Sequence, residues 1–175
     1  SEPQKKKAVL EQVDGIPYCW VRTRKYRGNG LGRILNMLQF AFALLFINPV
    51  TRFGLTRPQH IIVSSAHPFH ILAGWLYAWR YGATLSFEIR DIWPLSLVQL
   101  LGIHRFHPLC LLIKCFEKLA YRVSDRVISV LPNALLYLEK EGVTAERYLY
   151  LPNGTLVARF ERAKMRWLIG FRDVH

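Results

Sequence analysis

From Ala8 the chain alternates apolar and polar positions as AVLEQV, breaks at Asp14-Gly15, and resumes with IPYCWV. An Asp-Gly pair between two such runs is hairpin-turn chemistry, since both turn positions favour a left-handed backbone, and it predicts two short strands. The stretch from Ile34 to Val50, ILNMLQFAFALLFINPV, has no period of two and predicts a helix that closes at Pro49. Its polar residues Asn36 and Gln39 fall on one face, so it reads as amphipathic. With Asn48 as a third polar residue, it is short for a membrane span. HIIVSS then predicts a strand at about 60 to 66, and Pro68 to Tyr81 a helix stopped by Gly82. ATLSFEIR predicts the next strand, and Pro94 begins a helical stretch that falters at Gly102. A long helix (PLCLLIKCFEKLAYRVS), a strand (DRVISVL), a capped helix ending at Gly142 and a final strand (RYLYLPNG) complete the order.

Strand and helix alternate after residue 60, which predicts an α/β fold: a Rossmann-like parallel sheet with helices on both faces and right-handed crossovers. In such sheets ligands bind beyond the carboxyl ends of the strands. The loops that matter are therefore 64–70, 88–96, 131–134 and 152–155. One domain is expected, since 175 residues can bury a sizeable core but not two of ordinary size.

Charge narrows the partners without choosing one. Lys and Arg number 24 against 12 Asp and Glu, a formal net charge of +12 that favours anions. Cys19, Cys110 and Cys115 form no CxxC pair and are odd in number, which suggests neither a zinc site nor a disulfide framework and fits a reducing cytoplasm. Residues 1 to 33 gather Lys5, Lys6, Lys7, Arg22, Arg24, Lys25, Arg27 and Arg33 beside the apolar helix. That combination suits an anionic membrane surface, so the expected location is cytoplasmic and peripheral to an inner membrane. The basic tail 155–175, TLVARFERAKMRWLIGFRDVH, offers a second amphipathic contact.

The chemistry concentrates in FEIRDIWP, residues 87 to 94. Side chains alternate along a strand, so Glu88 and Arg90 share a face and can pair with each other. Asp91 lies past the strand, ahead of the helix that Pro94 opens, where free backbone N–H groups suit phosphate. Trp93 offers a flat apolar face to a ring or lipid. His67, in the loop after the strand at 60–66, is a candidate contact for a substrate hydroxyl. His67 with His70, and His104 with His107, have metal-like spacing but no convincing third ligand, so no metal site is assigned.

Several phrases in order resemble a known family. FEIRDIWPLSLVQLLG, FEKLAYRVSDRVISVLP and YLPNG resemble the amino-terminal domain of family 4 GT-B glycosyltransferases, whose members often carry R-D-x-W-P-x-S. Arg90, Asp91, Trp93, Pro94 and Ser96 match that phrase. Glu117, Tyr121 and Asp125 match the helix-to-strand phrase, and Pro152, Asn153 and Gly154 the segment that ends the domain. VDGIPYCWVRTRKYRGNGLGRILN also resembles the family's region ahead of its long helix. Bacterial enzymes that build surface polysaccharide on a polyprenyl carrier are the most similar group.

The resemblance spans residues 8 to 154 and implies an acceptor-side domain over 1–154. The family's first strand and its carboxyl-terminal donor domain are not matched, so the chain reads as a partial enzyme, expected to be inactive by itself. The implied reaction is sugar transfer from a nucleotide-sugar donor to a lipid-linked or saccharide acceptor, with no cofactor. Asp91 and Glu88 are then the candidate catalytic carboxylates, orienting the acceptor or balancing positive charge on the sugar ring. Arg90, Trp93, His67, Asn153 and Gly154 are the candidate substrate contacts. No DxD occurs in the chain, which agrees with a site needing no metal.

The alternative is a non-catalytic module that docks on a membrane or on a separately encoded donor domain. Nucleic-acid binding would rest on charge alone, because no zinc-finger spacing or RNP-like phrase is present, and it is not expected.

Overall fold

The computed structural model describes residues 7–28, 31–65, 67–93 and 104–154. Strands β1 (Ala8–Val13) and β2 (Ile16–Val21) form an antiparallel hairpin, with Val13 paired to Ile16 across the turn. Asp14 and Gly15 sit at φ 51° and 79°, the positive values that a two-residue turn demands.

Helix α1 (Leu31–Phe46) is followed by a short helix that the sequence pattern did not predict, α2 (Pro49–Phe53). Pro49 ends one helix and starts another because Asn48 caps the second, its side chain accepting from the N–H groups of Val50 and Thr51. The same side chain meets the Tyr81 hydroxyl, and the Tyr77 hydroxyl donates to the carbonyls of Leu44 and Ile47. These two tyrosines fasten the corner after α1 onto helix α3 (Ile71–Tyr81), which follows a 3-10 turn at Pro68–His70.

The remaining elements build one parallel sheet. Its strands are β3 (His60–Ser64), β4 (Thr84–Ile89), β5 (Arg126–Ser129) and β6 (Tyr148–Tyr150), adjacent in that order. Helix α3 connects β3 to β4, α4 (Pro108–Val123) leads into β5, and α5 (Ala134–Lys140) lies between β5 and β6. The fold is therefore α/β, a parallel sheet flanked by helices in the manner of a Rossmann-like half-domain.

The core lies between sheet and helices. Val63, Leu85, Phe87, Ile89 and Val127 from the strands pack against Ile71, Ala78, Ala120, Tyr121, Ala134 and Leu138 from the helices. At Gly74 helix and sheet nearly touch: a Cβ there would lie 2.3 Å from Cγ2 of Val63. Any larger residue would push α3 off the sheet.

The helices flank this sheet, and the main core packs on the face that carries Val63, Leu85, Phe87, Ile89 and Val127. The other face carries Ile62, Ser86, Glu88, Ile128 and Leu149 in register, with Ile62 and Leu149 60% and 51% exposed.

The amino-terminal ends of β4 and β5 are held by Asp125, whose carboxylate accepts the Leu85 N–H at 2.8 Å while its own N–H donates to the Leu85 carbonyl. The helical stretch expected from Pro94 to Gly102 and the basic tail lie outside the described residues.

Candidate functional site

The carboxyl ends of β3 and β4 are joined by one buried residue. The Ser65 N–H donates to the Glu88 carbonyl at 2.8 Å, and the Ser65 hydroxyl accepts the Arg90 N–H at 3.0 Å. Ser65 is 1% exposed, so the loop carrying His67 and the loop carrying Arg90 and Asp91 are fixed against each other in a low-dielectric setting. Ser129, fully buried at the end of β5, accepts the Leu131 N–H on its hydroxyl and the Leu151 N–H on its carbonyl, which ties in the next two loops.

Glu88 is half-buried and projects from the face of β4 opposite the main core, beside Ser64 and Ile128 in register. Arg90 and Asp91 are exposed just beyond the strand. Among the described residues, the side chains of Glu88, Arg90 and Asp91 form no ion pair or hydrogen bond. The expected Glu88–Arg90 pair is therefore not made, because the backbone leaves strand geometry after Ile89 and the strict alternation ends with it. Both carboxylates remain available to a ligand.

Trp93 is placed differently from the expectation. With Met37, Leu38, Leu109 and Phe116, it packs against a buried cluster of Ala41 of α1, Phe69 of the 3-10 turn and Ile113 of α4. Its ring is taken up by this second apolar cluster, so it is not a free flat surface. Its indole N–H is buried with no partner among the described residues. Asn153 and Gly154 are exposed beyond β6, apart from this cluster.

The least expected arrangement involves the two histidines. His67 is 8% exposed, with Nδ1 3.2 Å from Nδ1 of His70, whose Nε2 lies 3.0 Å from the Ser64 carbonyl. A carbonyl only accepts, so His70 carries its proton on Nε2. A neutral His70 then presents a bare Nδ1, and His67 must donate to it from its own Nδ1. That leaves Nε2 of His67 as a bare acceptor. Burial, aided by the neighbouring His70, pushes His67 down to about 4; burial also lowers His70, partly offset by the Ser64 carbonyl. Both rings are thus neutral near pH 7, as the chain of donors requires. Phe40 presents its edge to both rings, at centroid distances of 6.1 and 6.2 Å.

Sequence reasoning singled out His67 but treated its spacing from His70 as a weak metal pattern, and it passed over Ser65. Asn133 was also missed: it opens α5 at φ 60°, in the left-handed region, and its side chain makes no capping bond. The helix at 134–140, expected to be capped, therefore has no side-chain cap at its amino terminus. His107 has a structural use, since it caps α4 by accepting the Leu109 N–H.

Comparison with protein-family models yields no match to this chain, and comparison with curated protein sequences yields none either.

Proposed function

We propose that the chain is the acceptor-side half of a glycosyltransferase that takes a sugar from a nucleotide-sugar donor and passes it to a saccharide or lipid-linked acceptor. The observation that carries this reading is the polar edge where β3 and β4 end. There Ser65 ties the loop presenting the bare Nε2 of His67 to the end of β4, where Glu88 on the strand and Asp91 just beyond it carry unpaired carboxylates. Three hydrogen-bond acceptors held by backbone ties are suited to hydroxyl groups, and a saccharide is dense in them. The ordered resemblance of residues 8 to 154 to family 4 GT-B enzymes supports the same assignment.

The transition state of glycosyl transfer has oxocarbenium character beside a departing diphosphate. Carboxylates within reach of the ring lower the energy of its positive charge, and a positioned acceptor atom orients the attacking hydroxyl. Glu88 and Asp91 take the first role and His67 the second, with Arg90 available to phosphate. The donor nucleotide belongs to a facing lobe. The test is sugar transfer by the full-length gene product, with Glu88→Gln and Asp91→Asn combined. A loss of about 100-fold or more in turnover is expected, and unaltered turnover would remove both carboxylates from the mechanism.

A second reading, a non-catalytic docking module, is favoured by the exposed apolar side chains of Ile62 and Leu149 on the sheet face opposite the main core. It predicts a separately encoded partner that shields this face and leaves transfer unaffected by the double substitution.

A further inference from the structure

Helix α1 carries an exposed ladder at i, i+4, i+7 and i+11: Leu35, Gln39, Phe42 and Phe46. Leu35, Phe42 and Phe46 are 53%, 64% and 74% exposed, and the two phenyl rings lie 4.9 Å apart. The opposite side of the helix is already used, since Met37, Leu38 and Ala41 pack toward Phe69 and Ile113. The ladder is therefore surplus to folding.

Its one polar rung explains what lies beside it. Gln39 accepts the Arg24 N–H at 2.9 Å, and Asn36 donates to the Thr23 hydroxyl at 2.8 Å and to the Arg24 carbonyl. The segment from Thr23 to Arg27 is thereby clamped along the flank of the ladder. Arg24, Lys25 and Arg27 on it are all exposed and, with Thr23, Tyr26 and Asn36, line an open cleft of about 680 Å³ with no carboxylate among its described lining residues. On the preceding strand, Tyr18 and Trp20 are exposed and stacked on each other.

We propose that this surface docks on an anionic bilayer, with α1 lying in the membrane plane, the ladder entering the acyl boundary, and the cleft holding lipid phosphates between Arg24, Lys25 and Arg27. The helix cannot span: its 16 residues reach about 24 Å, and no helix of the described residues is long and apolar enough to cross. An apolar line edged by cations is the pattern of an interfacial helix. Single-stranded nucleic acid fits less well, because base-stacking rings interleave with the cations that track the backbone. Here one ring, Tyr26, does lie between Lys25 and Arg27, but the larger exposed apolar area is the line of Leu35, Phe42 and Phe46 on the helix, which a strand tracked by its phosphates would leave uncovered. The inference is independent of the transfer reading, since a chain that binds vesicles without transferring sugar leaves it intact.

The experiment is co-sedimentation of the chain with phosphatidylcholine vesicles, with and without phosphatidylglycerol. Binding is expected to the anionic vesicles, reduced about fivefold for each of Arg24→Gln, Lys25→Gln and Arg27→Gln. Phe42→Ser with Phe46→Ser is expected to reduce it about tenfold or more, with the circular dichroism spectrum and melting temperature retained because both rings are exposed. Inorganic diphosphate in solution should compete only weakly. Full competition by it, or undiminished vesicle binding by the phenylalanine variant, would overturn the proposal. So would a dimer that the phenylalanine variant dissolves while no vesicle binding is seen, or RNA binding insensitive to that variant.

Discussion

Two buried polar groupings in this molecule respond to burial in opposite senses and are built for different ends. At the carboxyl edge of the sheet, His67 and His70 form a directed chain that stops at a bare nitrogen. In the helix layer, Glu117 of α4 is 3% exposed and receives the Tyr137 hydroxyl at 3.4 Å. Burial pushes its carboxyl up to about 7; Glu141 adds to the rise, while the nearby Tyr121 and Tyr137 hydroxyls and the charge of Lys114 oppose it. The Tyr121 hydroxyl stands close by but is buried without a partner in hydrogen-bond geometry, so Tyr137 is the donor the structure supports. Lys114 and Lys118 turn to Glu141 instead, at 3.5 and 3.8 Å, and leave Glu117 to the phenols.

Both groupings avoid burying charge, the imidazoles by losing a proton and the carboxyl by keeping one. The difference lies in what remains. Glu117 is enclosed between two helices with phenols as its neighbours, which is an arrangement for joining α4 to α5. The histidine chain begins at a strand carbonyl, passes through two rings and leaves an acceptor over at the edge where ligands of this fold bind. Burial of a titratable group is common to both, and only the direction of the hydrogen bonds separates a site from a brace.

Substitution should separate them first. Glu117→Ala leaves a cavity and strips Tyr137 of its acceptor, with an expected loss of about 2–3 kcal/mol in denaturant unfolding and unchanged transfer per folded molecule. His67→Ala should differ in adding a functional loss: under the proposed function transfer falls about tenfold to a hundredfold, as for a lost hydrogen bond to a positioned hydroxyl, beside a stability loss of about 1–3 kcal/mol, because it too leaves a buried gap and strips the His70 Nδ1 of its donor. Equal losses of stability and activity in both variants would erase the distinction.

Acid is the subtler probe. Folded Glu117 keeps a proton between about pH 4.5 and 7 that the unfolded chain has released, so its contribution to stability falls as pH rises through that window. Folded His67 lacks a proton between about pH 4 and 6.5 that the unfolded chain holds, so its contribution rises with pH there. The two oppose each other in the native chain. Glu117→Gln should expose a rising slope from about pH 4 to 6.5, and His67→Gln a falling one from about 4.5 to 7. Glu117 and His67 each contribute at most about 1.4 kcal/mol per pH unit for one fully linked proton, and the lowered His70 adds to the rising side in both variants. Parallel pH profiles in the two variants would contradict the assignment.

Much of the frame was readable from the sequence because it rests on local rules. Asp14-Gly15 specified the hairpin turn, Gly82 the end of α3, and the apolar runs every strand from β3 to β6. What escaped notice depends on side chains meeting across the chain. The polar residues Asn36 and Gln39 suggested a solvated helix face, yet they bind the loop at Thr23–Arg24. Asn48-Pro49 looked like a terminus because a stop signal and a new cap have the same composition. Trp93 looked available because its neighbours in sequence are polar, whereas in space it packs against the cluster of Ala41, Phe69 and Ile113. The His67–His70 spacing was visible, but nothing in the sequence says that His70 turns back to the Ser64 carbonyl and so determines which nitrogen of His67 is bare.

That last point allows the most direct test. Long-range proton–nitrogen correlation spectra of the histidine rings at about pH 7.5 report which nitrogen carries hydrogen. The account predicts that His67 and His70 are both neutral, with His67 protonated on Nδ1 and bare on Nε2, and His70 the opposite. A His67 ring protonated on Nε2, or on both nitrogens, would contradict it.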